Sequence, residues 1–286
     1  MSSLLHVPPR PALPRLQAPL VLVTGGKGGV GKTTVAANLA IELCRNGKRA
    51  LLVDLDLALA NVAVFLGLSP HLDLGDALDQ RVPLEDCVFD GPCGLKLLAA
   101  ASGREDLARG DLELRTRLMA GLARLSGDYD FLIGDCPAGI GPDVMAWAAF
   151  ADHVLVVTTP EPAAVTDAYG TVKALAAWSQ RNDQEIATPE WFLNQVSGVG
   201  EATQVAQRLS EVCQRFLARS PRLAGWLPRS NAVAHSARSQ SPFALRPGAA
   251  LESHCLAQIA ARILFRFRSA PGSMGRASAC SRSGAS

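Results

Sequence analysis

The residues with the clearest chemical meaning form the glycine-rich stretch GGKGGVGKTT at 25–34. Gly26, Gly31, Lys32 and Thr33 fit the pattern G-x-x-x-x-G-K-[ST] between an apolar run and an amphipathic one. Glycines let backbone N–H groups converge on phosphate oxygens, and the N-terminus of a following helix attracts an anion. We therefore predict a nucleotide phosphate loop in which Lys32 neutralises the β- and γ-phosphates and Thr33 ligates Mg²⁺. The predicted contacts of this loop are Gly26, Lys27, Gly28, Gly29, Val30, Gly31, Lys32, Thr33 and Thr34, the last at the α-phosphate.

Three carboxylates follow apolar runs further along the chain. Asp54 and Asp56 lie at the end of the run LLVDLD, and Asp135 ends the run DFLIGD. The carboxyl ends of parallel strands border the ligand crevice of an open α/β sheet, so these side chains are expected beside the loop. Asp135 has the character of a carboxylate that holds Mg²⁺ through water. For Asp54 and Asp56, two acids that merely cap a strand end are the structural alternative.

The elements that must position these residues alternate along the chain. Short apolar runs lie at 20–24, 49–54, 95–100, 130–135, 153–159, 190–194 and 223–228. Between them, amphipathic stretches place Leu114, Leu118, Leu122 and Leu125 on one helical face, and Val165, Ala168, Val172 and Leu175 on another. This alternation predicts an α/β fold with a single doubly wound, mainly parallel sheet and helices on both faces.

The composition divides the chain into a body and two flanking segments. Residues 1–19 hold five prolines, and residues 268–286 are rich in Ser, Gly, Ala and Arg. We predict a proline-rich extension over 1–19, one α/β domain over 20–267 and a disordered basic tail over 268–286.

The remaining composition favours a cytoplasmic protein. Gly, Pro, Asp or Arg interrupts every apolar run before it reaches the length of a spanning helix, and the opening residues lack the core of a secretion signal. The seven cysteines are scattered and never occur as C-x-x-C, which is typical of reduced thiols. The two ends are basic while the body between them is net acidic, which disfavours a nucleic-acid partner.

The spelling K-G-G-V-G-K-T-T resembles the deviant phosphate loop of the MinD/ParA family of P-loop ATPases. The resemblance implies ATP, ADP and Mg²⁺ as ligands and a homodimer in the ATP-bound state. It also implies that Lys27 crosses the dimer interface and contacts the nucleotide of the other subunit. The alternative for Lys27 is a solvated surface lysine.

Further roles follow from the same resemblance. It implies that Asp56 positions the attacking water and that Asp54 lies near Mg²⁺ or its water shell. Asn194, at the end of the run WFLN, would read the adenine edge, and backbone at Pro228 would close the base pocket. A turn-forming role is the alternative for Asn194.

The stretch VVTTPEPAAVTDAYGTVKAL at 156–175 resembles the flagellar-number regulators of the FlhG/FleN branch. That branch implies a slow, Mg²⁺-dependent ATPase that controls flagellar number or placement. Its implied partners are a flagellar GTPase, switch-complex proteins and a transcriptional activator, although the opening lacks the branch's Asp-Gln-Ala triplet. A MinD-like septum-site ATPase and a ParA-like DNA- or cargo-positioning ATPase are the alternatives.

The last amphipathic stretch lies at 256–268. Its apolar face comprises Leu256, Ile259, Ile263, Leu264 and Phe267, with Arg262 and Arg266 lying away from it. The branch resemblance implies a peripheral helix that contacts the inner face of the cytoplasmic membrane reversibly. A terminal helix packed on the sheet is the alternative.

Overall fold

The computed structural model describes residues 15–57, 59–101 and 112–268. Its strands are β1 (Leu20–Thr24), β2 (Ala50–Asp54), β3 (Val88–Asp90), β4 (Lys96–Leu98), β5 (Phe131–Asp135), β6 (His153–Thr158), β7 (Glu190–Val196) and β8 (Leu223–Pro228). Its α-helices are α1 (Lys32–Arg45), α2 (Val62–Leu66), α3 (Leu74–Leu78), α4 (Leu112–Leu125), α5 (Pro142–Phe150), α6 (Pro162–Asn182), α7 (Val199–Leu217), α8 (Asn231–Arg238) and α9 (Ala250–Arg268). The predicted extension (1–19) and tail (268–286) lie mostly outside the described residues, so that division of the chain stays a prediction.

All eight strands form one sheet in the order β3-β4-β2-β5-β1-β6-β7-β8. Every neighbouring pair is parallel except β3 and β4. The central strand β1 lies between β5 and β6, with Leu22 in register with Gly134 on one side and Val154 on the other. The mainly parallel single sheet predicted from the apolar runs is confirmed.

Two apolar layers cover the sheet, one on each face. Alternate residues of β1 point to opposite sides, so Leu20 and Leu22 join one layer while Val21 and Val23 join the other. The first layer holds side chains of α4, α5, α6 and α7, and the second holds those of α1, α2 and α9. Helices therefore lie on both faces, as predicted.

The predicted helical faces of α4 and α6 are the buried ones. Their fully buried members are Leu118, Leu122, Leu125, Ala168, Val172 and Leu175, while Leu114 and Val165 are half-buried. The sequence analysis did not predict β3. This strand is three residues long, partly exposed and antiparallel at the sheet's edge, so it has neither the length nor the continuous hydrophobicity of the other strands.

Helix α9 packs on the sheet. This agrees with the alternative interpretation of 256–268 as a terminal helix packed on the sheet. Its residues Leu256, Ile259 and Ile263 face the sheet and are buried. The helix approaches β8 so closely that a Cβ at Gly225 would lie 2.3 Å from Ile259 Cδ1. Within the described ranges, none of the helices combines the length and the hydrophobicity needed to cross a bilayer.

Candidate functional site

The glycine-rich loop leaves β1 at the carboxyl edge of the sheet and leads directly into α1. A Cβ at Gly26 would lie 2.3 Å from the backbone oxygen of Asp167. Gly31 has a φ of 96°, and a Cβ there would lie 2.2 Å from Asn194 Nδ2. The loop is therefore held against α6 and β7 in a shape that only glycine permits at these two positions.

The loop presents its backbone to open space at the N-terminus of α1. A Cβ at Gly28 or Gly29 would meet no atom within 4 Å. Gly31 is the N-cap of α1, no side chain caps the helix, and its first turn holds no acidic residue. The unpaired N–H groups and the positive end of the helix dipole are thus available to an anion, which fits a phosphate group.

Thr33 and Asp135 form the part of the site that fits Mg²⁺. Thr33 Oγ1 donates to Asp135 Oδ2 at 2.6 Å, while the buried Asp135 Oδ1 has no hydrogen-bond partner in the described parts of the chain. Burial, followed by repulsion from Asp54, raises the pKa of Asp135 to about 8. A hydrated cation beside Thr33 would supply both the missing donors and a compensating charge, so the residues present fit the ion.

Lys32 lies half-buried among these carboxylates. Burial lowers the pKa of Lys32, although the charges of Asp135 and Asp56 oppose that shift. Its Nζ lies 3.5 Å from the backbone oxygen of Lys27 and makes only a long hydrogen bond to it. A desolvated ammonium group with one weak neutral acceptor is well suited to donate hydrogen bonds to phosphate oxygens.

Asp54 lies opposite Asp135 in register, with its carboxylate engaged by backbone groups. Its Oδ1 accepts from the Asp56 N–H, and its Oδ2 accepts from the N–H groups of Asn61 and Val62, each at 3.1 Å. Burial raises the pKa of Asp54 to about 7 against these three hydrogen bonds. In this structure Asp54 holds the loop after β2 and the start of α2, and its predicted role near Mg²⁺ stays a prediction.

Asp56 is half-buried at the same edge, close enough for its charge to raise the pKa of Lys32. Its Oδ1 accepts from the Leu59 N–H at 3.1 Å, and no described residue donates to its Oδ2. The position is compatible with the predicted water-positioning role, which stays a prediction.

Lys27 reaches away from its own phosphate loop. Its side chain is 43% exposed, and Nζ lies 3.8 Å from Oε2 of the exposed Glu161. Sequence reasoning missed Glu161 as a site residue, although it belongs to the quoted T-P-E-P motif just after β6. A carboxylate that follows a parallel strand at the ligand edge is the signal that points to it.

Asn194 and Pro228 lie at the carboxyl ends of β7 and β8, on the same edge of the sheet. Asn194 is buried; its Nδ2 donates to the Val30 oxygen at 2.8 Å, and its Oδ1 accepts from the Gln195 N–H at 2.9 Å. The side chain thus ties β7 to the phosphate loop here. The predicted adenine contact of Asn194 and the base pocket at Pro228 stay predictions.

The site resembles no all-protein metal cage. In the part of the chain that the structure describes, His, Cys, Asp and Glu form no group of three or more that could hold a metal ion. A magnesium site here therefore needs phosphate oxygens and water to complete its coordination.

Comparisons with known proteins agree with this geometry. The model of the CobQ/CobB/MinD/ParA nucleotide binding domain matches residues 21–243. The antiactivator FleN of Pseudomonas aeruginosa is 35% identical over 221 residues, covering 77% of each chain. The flagellum site-determining protein YlxH of Helicobacter pylori is 32% identical over 199 residues, covering 69% of this chain and 65% of that protein.

Solved structures share the fold over most of the chain. The cell division ATPase MinD of Pyrococcus furiosus has a TM-score of 0.70 at 25% identity, covering 87% of this chain and 99% of its own. MinD of Pyrococcus horikoshii, solved with Mg-ADP, has a TM-score of 0.69 at 23% identity, covering 86% and 96%. The chain therefore belongs to the CobQ/CobB/MinD/ParA nucleotide-binding family as a MinD/ParA-type P-loop ATPase near the FlhG/FleN branch, and the predicted resemblance is confirmed.

Proposed function

We propose that this chain is an ATP-dependent switch that dimerises with nucleotide and regulates flagellar number or placement through protein partners. The observation that carries the proposal is the position of Lys27. Its exposed side chain lies at the mouth of the loop, and among the described residues its one ionic contact is a long one to the exposed Glu161. Surface ion pairs of this kind are worth about 0–1 kcal/mol, so a second copy that offers phosphate can displace Glu161.

The chain is an ATPase, with ATP and ADP as its nucleotides and Mg²⁺ as its metal. Thr33 and Asp135 would hold the ion, which when bound neutralises charge on the phosphates. Lys32 binds the β- and γ-phosphate oxygens, the loop N–H groups and Thr34 bind the remainder, and Asp56 orients the attacking water. Positioning and charge neutralisation are sufficient for the slow turnover expected of a timer.

Nucleotide charge would control dimerisation. Two cationic loops that face each other repel unless phosphate lies between them. Each charge-assisted hydrogen bond from Lys27 contributes roughly 1.5–3 kcal/mol, and symmetry supplies two of them. The total of about 3–6 kcal/mol corresponds to roughly a hundredfold to ten-thousandfold in the dimer dissociation constant.

Sedimentation velocity tests the switch with a nonhydrolysable ATP analogue and Mg²⁺. Lys27→Ala should remain monomeric at concentrations where the unmodified chain dimerises, while still binding the analogue. Lys48→Ala, which changes a partly exposed lysine in the connection between α1 and β2, is the matched control and should dimerise normally. Full dimerisation of Lys27→Ala would refute the proposal.

The flagellar role is supported by the similarity of this chain to two relatives, the antiactivator FleN and the flagellum site-determining protein YlxH. The partners that we propose are a flagellar GTPase, switch-complex proteins or a transcriptional activator. In a flagellated host, deletion of the gene should change the number or position of flagella. Minicells with normal flagella would instead support septum placement, the function favoured by the likeness to MinD structures.

We also propose a cytoplasmic location, with reversible contact to the inner membrane face through 256–268. The apolar face of α9 is covered by the sheet in this structure, so such contact requires either partial release of the helix or the exposed Phe265. Nucleic acid is not among the proposed partners because the body of the chain is net acidic.

A further inference from the structure

A cleft of about 540 Å³ opens at the edge of the sheet opposite the phosphate loop. Its floor is made by residues at the beginning of three neighbouring strands, His153 of β6, Glu190 of β7 and Ala224 of β8. The last turns of α9 form its other wall. The volume lies within the range of small-molecule pockets, and the cleft plays no part in the proposed ATP chemistry.

The buried His153 lies at the floor of this cleft. The side chain is 4% exposed, and its Nε2 lies 3.5 Å from Glu190 Oε2 but has no hydrogen-bond partner among the described residues. Burial, and then the charges of Arg266 and Arg262, lower the pKa of His153 to about 4. The imidazole is therefore neutral near pH 7, and a buried ring nitrogen without a partner costs free energy unless a ligand supplies one.

Two arginines place positive charge at the same cleft. Arg266 Nη1 lies 3.6 Å from Glu190 Oε1, a loose contact with its side chain 45% exposed. Arg262 Nη1 donates to the backbone oxygens of Leu223 at 3.0 Å and Ala224 at 2.7 Å, and within the described ranges no acceptor occupies its Nε and Nη2 groups. The two guanidinium groups outnumber the single carboxylate of Glu190, so the lining carries net positive charge.

The rest of the lining is apolar. Ala224, Ile259 and Ile263 are buried walls of the cleft, and Phe265, 76% exposed, lies at its rim. A pocket with apolar walls and a few convergent polar groups selects a ligand with one polar end.

We propose that this cleft binds a small amphiphilic monoanion, a carboxylate with a short alkyl or aryl body. The carboxylate would bind between Arg262 and Arg266, above the buried His153. The body would cover Ile259 and Ile263 and pack under Phe265. A single negative charge balances the excess of one arginine, and the ligand would hold the end of α9 on the sheet.

Binding of octanoate to the full chain tests the proposal, measured by isothermal titration calorimetry below the micelle concentration. We expect saturable binding of one octanoate per chain, with octylamine and acetate binding at least tenfold more weakly because they lack the charge or the body. Arg266→Gln should weaken octanoate binding about tenfold or more, the loss expected for a charge-assisted hydrogen bond. Arg266 is exposed, so the substitution should leave the fold intact.

Arg268→Gln is the matched control, since Arg268 is an exposed residue of the same helix that does not line the cleft. Lys32→Ala should bind octanoate normally, so this proposal can fail or succeed independently of the nucleotide switch. Equal weakening by Arg268→Gln, equal affinity for octylamine, or no octanoate binding at millimolar concentration would overturn it. Binding to anionic phospholipid vesicles without binding to dispersed octanoate would also overturn it, because a membrane surface would then be the ligand.

Discussion

Replacing the buried Asp135 with Asn should stabilise the nucleotide-free protein at alkaline pH. The folded-state pKa of Asp135 is about 8, against an ordinary value of 3.8. Between these values the folded chain keeps a proton that the unfolded chain has lost. The free energy of unfolding therefore falls as pH rises through this window, by up to about 1.4 kcal/mol per pH unit for this group. Asn cannot ionise and removes this slope.

The expected magnitude follows from the window. From pH 6 to pH 8, the stability of Asp135→Asn relative to the unmodified chain should rise by about 2 kcal/mol, since the slope flattens near the pKa. Urea unfolding at pH 6, 7 and 8, with EDTA and without nucleotide, measures this difference. The variant should also lose Mg²⁺-dependent ATP hydrolysis.

A carboxylate with the opposite shift provides the control. Asp130 pairs with Arg49 at 3.1 Å. Burial alone would raise the pKa of Asp130, but the hydrogen bonds and the charge of Arg49 outweigh burial and lower it. Asp130→Asn should therefore change stability by the same amount at pH 6 and pH 8, since its window lies below both. If Asp135→Asn also shows an equal difference at the two pH values, burial of an uncompensated carboxylate at this site is refuted.

Three further substitutions test separate parts of the structure. Asp56→Ala should slow phosphate release at least about tenfold and trap an ATP-bound dimer, and unchanged phosphate release would contradict its assigned role. Gly31→Ala should cost about 1–3 kcal/mol in urea unfolding and weaken ATP binding, because its φ is 96° and the new Cβ would meet Asn194. Ile259→Ala should cost about 2–5 kcal/mol of unfolding free energy, whereas Leu251→Ala, 52% exposed on the same helix, should change it by less than about 0.5 kcal/mol.

The fold was predictable where the sequence carries strong local signals. Buried parallel strands need continuous apolar runs, so seven of the eight strands could be identified from short segments such as 20–24 and 130–135. The edge strand β3 was not predicted because its three partly exposed residues give no periodic signal. The loop motif likewise predicted where Lys32 and Thr33 lie, since a strand and a helix fix its surroundings.

Contacts between distant residues were not predictable in the same way. The bond from Asn194 to the Val30 oxygen joins positions 164 residues apart, and only the register of β7 beside β6 brings them together. The cleft at the opposite edge depends on His153, Glu190 and Arg266, which come from three elements and share no sequence pattern.

The close seating of α9 over Gly225 limits how membrane contact can be studied. A chain cut before Arg262 would lose Ile263, which is 3% exposed, and would uncover the apolar layer in which Ile263 is buried. Such a fragment would bind lipid or self-associate through its newly exposed core residues. Substituting the solvent-facing Phe265 alone leaves α9 packed on the sheet. Its effect on lipid binding therefore measures the contribution of the helix surface.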